Sequence, residues 1–158
     1  MVGSRSAFAQ RLFDNELRAY QCLRSIQGVH VPKYLGHFTI NFNERELAED
    51  RVVNVLMLDV IGGKSLKKAR NELSPLERIH IRERVFEIVG FISQKKVFLP
   101  TISARHFIVV NGENSLRMVG FSTSYNPDQF QLSSYERQEY LKIDLRKIER
   151  ILDEIGYN

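Results

Sequence analysis

The hydrophobic and polar positions along the chain predict three helices. The first runs from Phe8 to about Ser25, with apolar residues three and four positions apart, and Gly28 follows it as a stop signal. The second runs from Ser74 to about Gln94 and opens with a capping serine, a proline and an acid three residues after the cap. The third runs from Ser134 to Ile155, and Gly156 closes it.

The second helix carries two apolar stripes, which predict that it is buried on more than one side. One stripe is formed by Ile81, Val85, Ile88 and Ile92, and the other by Leu76, Ile79, Phe86 and Val89. A short helix is also expected after Ser65, which can cap it.

Strands are predicted in the parts of the sequence between these helices. A strand is predicted from Lys33 to Ile40, and a second from Val52 to Val60, which is almost continuously apolar and is therefore expected to be covered on both faces. Gly62 and Gly63 break this strand. A hairpin follows, in which Phe107 to Val110 and Leu116 to Val119 flank the turn sequence Asn-Gly-Glu-Asn. The polar segments 41–50 and 122–133 are expected to be loops.

Composition and charge limit the classes of protein that fit this pattern. The 158 residues are 43% hydrophobic and 27% charged, as in an ordinary soluble globular protein of one domain. The most apolar run, Val52 to Ile61, is about half the length of a bilayer span, and the N-terminus has no apolar stretch of signal-peptide length. Cys22 is the only cysteine, so no internal disulfide is possible. These features predict a cytoplasmic protein with no membrane association.

The basic residues do not indicate a nucleic-acid-binding protein. Net charge is +4, a mild excess. The densest basic stretch runs from Lys64 to Arg70, and three more arginines follow by Arg84. Acids are interspersed among them, and the interleaved aromatic residues that single-strand binding uses are absent from this stretch. We therefore expect a solvated surface there and no nucleic-acid partner.

Three segments carry residues in the order and spacing of a known family. The first helix and the strand after it read Phe13-x-x-Glu16-x-x-Ala19-Tyr20-x-x-Leu23-x-x-x-Gln27-Gly28 and Val31-Pro32-x-Tyr34-x-Gly36. The apolar strand and the glycine break read Leu56-Met57-Leu58-Asp59-Val60-Ile61-Gly62-Gly63-x-Ser65-Leu66. With the helix from Asp144 to Gly156, these segments resemble fungal kinase-like proteins of the aminoglycoside-phosphotransferase type.

The resemblance implies a truncated kinase-like fold that starts at the regulatory helix. Residues 1–158 would form one α+β domain that lacks the first strands of the small lobe. Residues 8–61 would be what remains of the small lobe, and 62–158 would be the mostly helical large lobe, with short antiparallel strands. A kinase also needs a glycine-rich loop and a lysine on the strand before this helix. The chain begins after the place where both would stand, so Glu16, at the position of the helix glutamate, is expected to lack its usual lysine partner.

Three further positions depart from the catalytic pattern of the family. Thr101 stands where the family has the aspartate that deprotonates the acceptor hydroxyl, and a threonine has no basic form at neutral pH. His106 replaces the asparagine that binds the second magnesium ion, and Gly120 replaces the aspartate of the main metal site. The resemblance therefore predicts a pseudokinase that transfers no phosphate and needs no cofactor. No histidine or cysteine spacing suggests a zinc site either.

Two classes of function remain open at this stage. One is a non-catalytic module that binds a protein partner, a second copy of the chain or a ligand. The other is a cofactor-free cyclase or isomerase, for example a pericyclic enzyme of fungal secondary metabolism, that folds a hydrophobic small molecule in the emptied cleft. The predicted cleft residues are Glu16, Met57, Asp59, Thr101, His106 and Phe121. Of these, His106 and Thr101 are the candidates for a catalytic role.

Overall fold

The structure, a computed structural model, describes residues 3–42, 51–110, 115–126 and 133–157. Its helices and small antiparallel sheets confirm the predicted α+β class. In chain order the elements are α1 (Gly3–Cys22), β1 (Tyr34–Phe42), β2 (Arg51–Leu58), β3 (Gly63–Ser65), α2 (Leu66–Ala69), α3 (Pro75–Gln94), β4 (Phe107–Val110), β5 (Leu116–Met118) and α4 (Ser134–Glu154). Within the described ranges, every helix falls short of the uncharged apolar length that a bilayer span requires.

The N-terminal part combines α1 with a two-stranded ribbon. Helix α1 begins at Gly3 rather than at Phe8 and ends at Cys22, and a 3-10 turn, Arg24–Ile26, follows it. Strands β1 and β2 pair antiparallel, with a bulge between Tyr34 and Gly36. The first two residues of the predicted loop 41–50 belong to β1, and residues 43–50 lie outside the described ranges.

The prediction that β2 is covered on both faces is wrong. Val52, Val53 and Met57 are 60%, 44% and 41% exposed. Leu56 and Leu58, by contrast, pack against the core. The strand lies in a sheet of only two strands and α1 packs on one side of it, so the apolar run has only one face to bury.

Helix α3 is the centre of the core, and its predicted start is confirmed. Ser74 accepts a hydrogen bond from the Glu77 amide while the Glu77 side chain accepts from the Ser74 amide, which completes a capping box ahead of Pro75. The buried residues of the helix are Ile81, Val85, Ile88, Val89 and Ile92. The second predicted stripe is only partly buried, because Leu76 and Ile79 are 63% and 50% exposed on the solvent side of the helix.

A three-stranded sheet packs against α3 and carries the predicted hairpin. Strands β4 and β5 pair antiparallel as expected, and the turn at 111–114 lies outside the described residues. A further strand, β3, which was not predicted, begins at the second glycine of the break and pairs antiparallel with β4. A Cβ atom on Gly63 would lie 2.1 Å from the Val109 carbonyl oxygen, so this pairing requires glycine.

Helix α4 closes the C-terminal part against α3. A second capping box, formed by Ser133 and Glu136, precedes its first residue, Ser134, which is the predicted start. Ile148 and Leu152 are buried in the common core, and the helix ends before Gly156, whose φ is 76°. Of the predicted loop 122–133, residues 127–132 lie outside the described ranges.

Candidate functional site

The structure brings the first helix against the segment that follows the hairpin. The Phe121 backbone N–H donates a hydrogen bond to Glu16 Oε1 at 3.2 Å, although the two residues are 105 positions apart. One turn further along α1, the Tyr20 ring meets the Phe121 ring edge-on, with centroids 5.4 Å apart. Two of the six predicted cleft residues, Glu16 and Phe121, therefore lie together, and Tyr20 joins them.

A buried hydroxyl at this point is subject to the charges of two carboxylates. Tyr20 is fully buried, and its hydroxyl has no hydrogen-bond partner among the described residues. Burial raises the pKa of Tyr20, and the charges of Glu16 and Asp59 raise it further. Burial also raises the pKa of Glu16, and the Phe121 amide offsets part of that rise by stabilising the carboxylate. The charges of Asp59 and Glu16 thus act on the same buried hydroxyl.

Asp59 joins the ribbon to the three-stranded sheet. Its Oδ1 accepts a hydrogen bond from the Lys33 backbone N–H at 2.6 Å, and its own N–H donates to the Lys33 carbonyl at 2.9 Å. Its Oδ2 lies 3.7 Å from Nη1 of Arg117 on β5. With both oxygens engaged, this carboxylate has a structural role at the end of β2.

His106 packs against the glycine that precedes Phe121. Gly120 has a φ of 82°, and a Cβ atom there would lie 3.2 Å from His106 Cδ2. The His106 carbonyl accepts from the Val119 N–H at 2.8 Å. Burial lowers the pKa of His106, and its Nδ1 has no partner among the described residues. Burial therefore favours the neutral imidazole. The ring lies against Gly120, and the backbone of His106 is fixed by its hydrogen bond with Val119.

Thr101 and Met57 lie at the margins of this group. The Thr101 hydroxyl forms a hydrogen bond with the Thr123 hydroxyl in an exposed position. Met57 is opposite Gly36 in the ribbon and is 41% exposed. The structure thus brings Glu16 and Tyr20 against Phe121 and places His106 beside them through Gly120, while Asp59 acts on the Tyr20 hydroxyl only through its charge.

No described cleft residue lines the crevice that the structure forms nearby. That crevice has room for about one water molecule, and its walls include Asn15, Arg18, Cys22, Ser124 and Asn126. Phe121, which is one of the six predicted cleft residues, has no exposed surface and belongs to the core. In the parts of the chain that the structure covers, no three His, Cys, Asp or Glu residues are placed to hold a metal ion.

Sequence reasoning missed a buried acid that supports the Thr101 segment. Asp144 on α4 is 5% exposed, and its Oδ2 accepts a hydrogen bond from the Leu99 N–H at 3.3 Å. Burial raises its pKa, while the Leu99 amide and Lys147 lower it. A signal was present, because Asp144 lies on the apolar stripe of α4, three residues after Leu141 and four before Ile148.

The raised pKa of Glu16 gives a testable pH dependence. Because burial disfavours the carboxylate, Glu16 costs the folded state stability as the pH rises from the ordinary value of 4.5 through its raised pKa. Glu16→Gln keeps an oxygen acceptor for the Phe121 amide and removes this cost. The stability of the variant relative to the parent protein should therefore increase with pH across that window, measured by urea denaturation at several pH values.

Glu83→Gln, at an exposed position on α3, is the control for removing one carboxylate. A stability difference between Glu16→Gln and the parent that stays constant from pH 4.5 to neutrality would contradict the expected shift.

Comparison with known proteins gives no further guide to this site. The chain matches no protein-family model, and a search of curated proteins returns no match.

Proposed function

We propose that this chain is a non-catalytic protein with a kinase-like fold, which acts by binding a partner and not by transferring phosphate. The order of its elements supports the kinase-like part of the proposal. A helix and a two-stranded ribbon precede a short strand, a buried helix, a hairpin and a final helix. An isolated antiparallel bridge between Phe98 and Tyr125 also joins the segments before and after the hairpin.

The observation that carries the non-catalytic part is the hydrogen bond between the Phe121 amide and Glu16. In the family that the sequence resembles, the glutamate at this position pairs with the lysine that holds the phosphates. Here its carboxylate accepts a hydrogen bond from the backbone N–H of Phe121, the residue after Gly120, which stands at the position of the family's metal-binding aspartate. Glu16 thus has a partner that ties α1 to the C-terminal part, a structural use of the side chain.

Thr101 and Gly120, which stand at the positions of the family's catalytic base and metal-binding aspartate, support the same conclusion. The Thr101 hydroxyl is bonded to Thr123, and a threonine cannot accept the proton of a substrate hydroxyl at neutral pH. An aspartate at residue 120 would have to adopt a φ of 82° and press against His106. The backbone is therefore shaped for glycine at the position where a kinase places its metal-binding carboxylate.

The outward face of the ribbon supports the binding part of the proposal. Phe38, Val53 and Met57 are 42%, 44% and 41% exposed, and their positions place them on one face of the β1–β2 pair. A cluster of exposed apolar side chains is typical of a protein-binding surface. The cyclase or isomerase alternative would need a ligand-sized apolar cavity, and its predicted wall, Phe121, is fully buried.

Nucleotide binding provides the test. Millimolar ATP with Mg²⁺ should give the same thermal unfolding midpoint as Mg²⁺ alone. The reason is that Thr101 and Gly120 supply no carboxylate where a kinase has its base and its metal ligand. A stabilisation above about 2 kcal/mol would require a dissociation constant well below the nucleotide concentration. That result would refute the non-catalytic assignment.

A further inference from the structure

We propose that His30 and His106 form a pH-sensitive clasp on residues 118–121, the segment in which β5 ends. Neutral imidazoles hold the clasp closed, and their protonation in mildly acidic solution releases the segment. The inference goes beyond the proposed binding function and does not depend on it. It is argued from the backbone contacts of the two histidines, the surroundings of their rings, and the contacts that residues 118–121 make with α1.

The two histidines bind consecutive residues at the end of β5. The Met118 N–H donates a hydrogen bond to the His30 carbonyl at 2.8 Å, and the Val119 N–H donates to the His106 carbonyl, also at 2.8 Å. The histidines come from distant parts of the chain, since His30 follows the 3-10 turn after α1 and His106 directly precedes β4. Residues 118 and 119 are therefore held between two segments, each of which carries an imidazole.

The His30 ring packs against α3 in a position that suits a neutral imidazole. The residue is 9% exposed, and its ring stacks on the Phe91 ring with centroids 4.9 Å apart. Its Nδ1 is buried and has no hydrogen-bond partner among the described residues. A neutral ring can leave this nitrogen as an acceptor without a hydrogen, whereas protonation turns it into a buried donor. A buried donor without an acceptor is costly, so protonation opposes the packed position of the ring.

Two charged side chains of α3 act on His30. Burial is the largest cause of its lowered pKa, the like charge of Arg84 lowers the pKa further, and Glu87 raises it. The Glu87 carboxylate also pairs with Arg84, so its charge is shared with the guanidinium. The contacts of His30 with Ile26 in the 3-10 turn and with Met118 in β5 are backbone hydrogen bonds. Its surroundings therefore favour the neutral ring on balance.

The His106 ring lies against the same segment at Gly120. A Cβ atom on Gly120 would lie 3.2 Å from Cδ2 and 3.6 Å from Nε2 of His106, so this edge of the ring faces the backbone at residue 120. Nδ1, on the other side of the ring, is buried and has no partner within the described ranges. Burial alone accounts for the lowered pKa of His106, with no charge of a described side chain to offset it. A proton on this ring therefore also opposes the closed clasp.

The direction of the pH dependence follows from these two pKa values. In the released state each imidazole returns to its ordinary pKa of 6.5, and in the closed clasp its pKa is lower. The clasp is therefore most stable above pH 6.5, and it loses stability as the pH falls through 6.5 towards the lowered values. Glu16, which binds the Phe121 N–H, acts in the opposite direction, because its raised pKa makes its protonation favour the folded state. Comparisons between proteins that all keep Glu16 cancel this contribution.

Release of residues 118–121 also detaches α1. The Phe121 N–H donates to Glu16, and the Phe121 ring packs on Tyr20, so α1 is attached to the segment that the two histidines hold. Local opening of such a segment requires less free energy than unfolding of the whole core. Acidification therefore separates α1 from the C-terminal part before the core around α3 unfolds.

Amide hydrogen exchange tests the clasp. The opening equilibrium constants of the Met118 and Val119 amides are obtained from exchange rates corrected for the intrinsic effect of pH. They should rise at least about tenfold between about pH 7 and pH 5. The constant for the Ile88 amide, in the middle of α3, should rise by a smaller factor, because the core remains folded when the clasp opens. An equal rise at Ile88 would mean global unfolding and would overturn the clasp, as would an unchanged constant at residues 118 and 119.

Substitutions assign the effect to the two imidazoles. In the double variant His30→Phe with His106→Gln, the rise at residues 118 and 119 should fall below about threefold, because neither new side chain titrates. Phenylalanine at residue 30 also keeps an aromatic ring against Phe91. His80→Gln is the matched control, since it removes an exposed imidazole from α3 and should leave the rise unchanged. A rise that persists in the double variant overturns the assignment to His30 and His106.

NMR titration of the parent protein decides the proposal even if the double variant does not fold. The imidazole C–H resonances of His30 and His106 should titrate below the ordinary pKa of 6.5. Titration of both rings at 6.5 or above would overturn the clasp. None of these measurements involves nucleotide, so failure of the clasp and failure of the non-catalytic assignment are separate observations.

Discussion

Replacing Phe121 with alanine should lower the free energy of unfolding by about 3–5 kcal/mol. The ring has no exposed surface, and it packs edge-on against Tyr20 at a centroid distance of 5.4 Å. Truncation removes the apolar burial and leaves a void that the surrounding core fills only partly. It also loosens the segment whose amide binds Glu16. Urea denaturation followed by circular dichroism measures the loss.

The control for this variant is Phe38→Ala, which deletes the same ring from the exposed face of the ribbon, where it is 42% exposed. Its loss should be well under half that of Phe121→Ala, because less apolar surface is returned to water. A cost below about 1 kcal/mol for Phe121→Ala would contradict its place in the core. Such a result would revive the interpretation of Phe121 as the wall of an open cleft.

The second large effect is expected at Ile88 in α3. Ile88→Ala should cost about 2–5 kcal/mol, because the side chain is fully buried in the common core. Ile79→Ala is a matched control in the same helix, at a position that is 50% exposed, and should cost about 0.5 kcal/mol or less. Equal losses for the two variants in urea denaturation would show that the buried side of α3 has been assigned wrongly.

The helices that the sequence predicted well are those whose ends carry local signals. The boundaries of α3 and α4 follow from Ser74 with Glu77 and from Ser133 with Glu136, residues that interact within one turn. Such a signal is complete within four residues, so it does not depend on the rest of the fold. Helix α1 has no comparable pattern at its start, and there the predicted boundary was wrong.

The strands depended on information that no local pattern contains. An apolar run cannot tell a strand covered on both faces from one with an exposed face, so Val53 and Met57 were predicted to be buried. Strand β3 has three residues and exists through its pairing with β4. A pairing between Lys64 and Val109 leaves no trace in the periodicity of either segment.

The expectation that Glu16, Asp59 and Phe121 come together rested on the family resemblance alone. The three residues are far apart in sequence, so no local spacing connects them. The unpaired hydroxyl of Tyr20 could not be foreseen, because a tyrosine on an apolar helix face gives no sign of whether its oxygen finds a partner. Ligand binding at the six predicted residues stays a prediction.

The contacts of α1 with Phe121 have a consequence for the order in which the chain folds. Glu16 and Tyr20 both contact a residue that is synthesised about a hundred positions later, so α1 cannot complete its packing before Phe121 has been synthesised. Until then, a nascent chain presents α1 without these contacts. Contacts of such long sequence separation slow folding and lengthen the time for which unpaired strand edges are accessible to other chains.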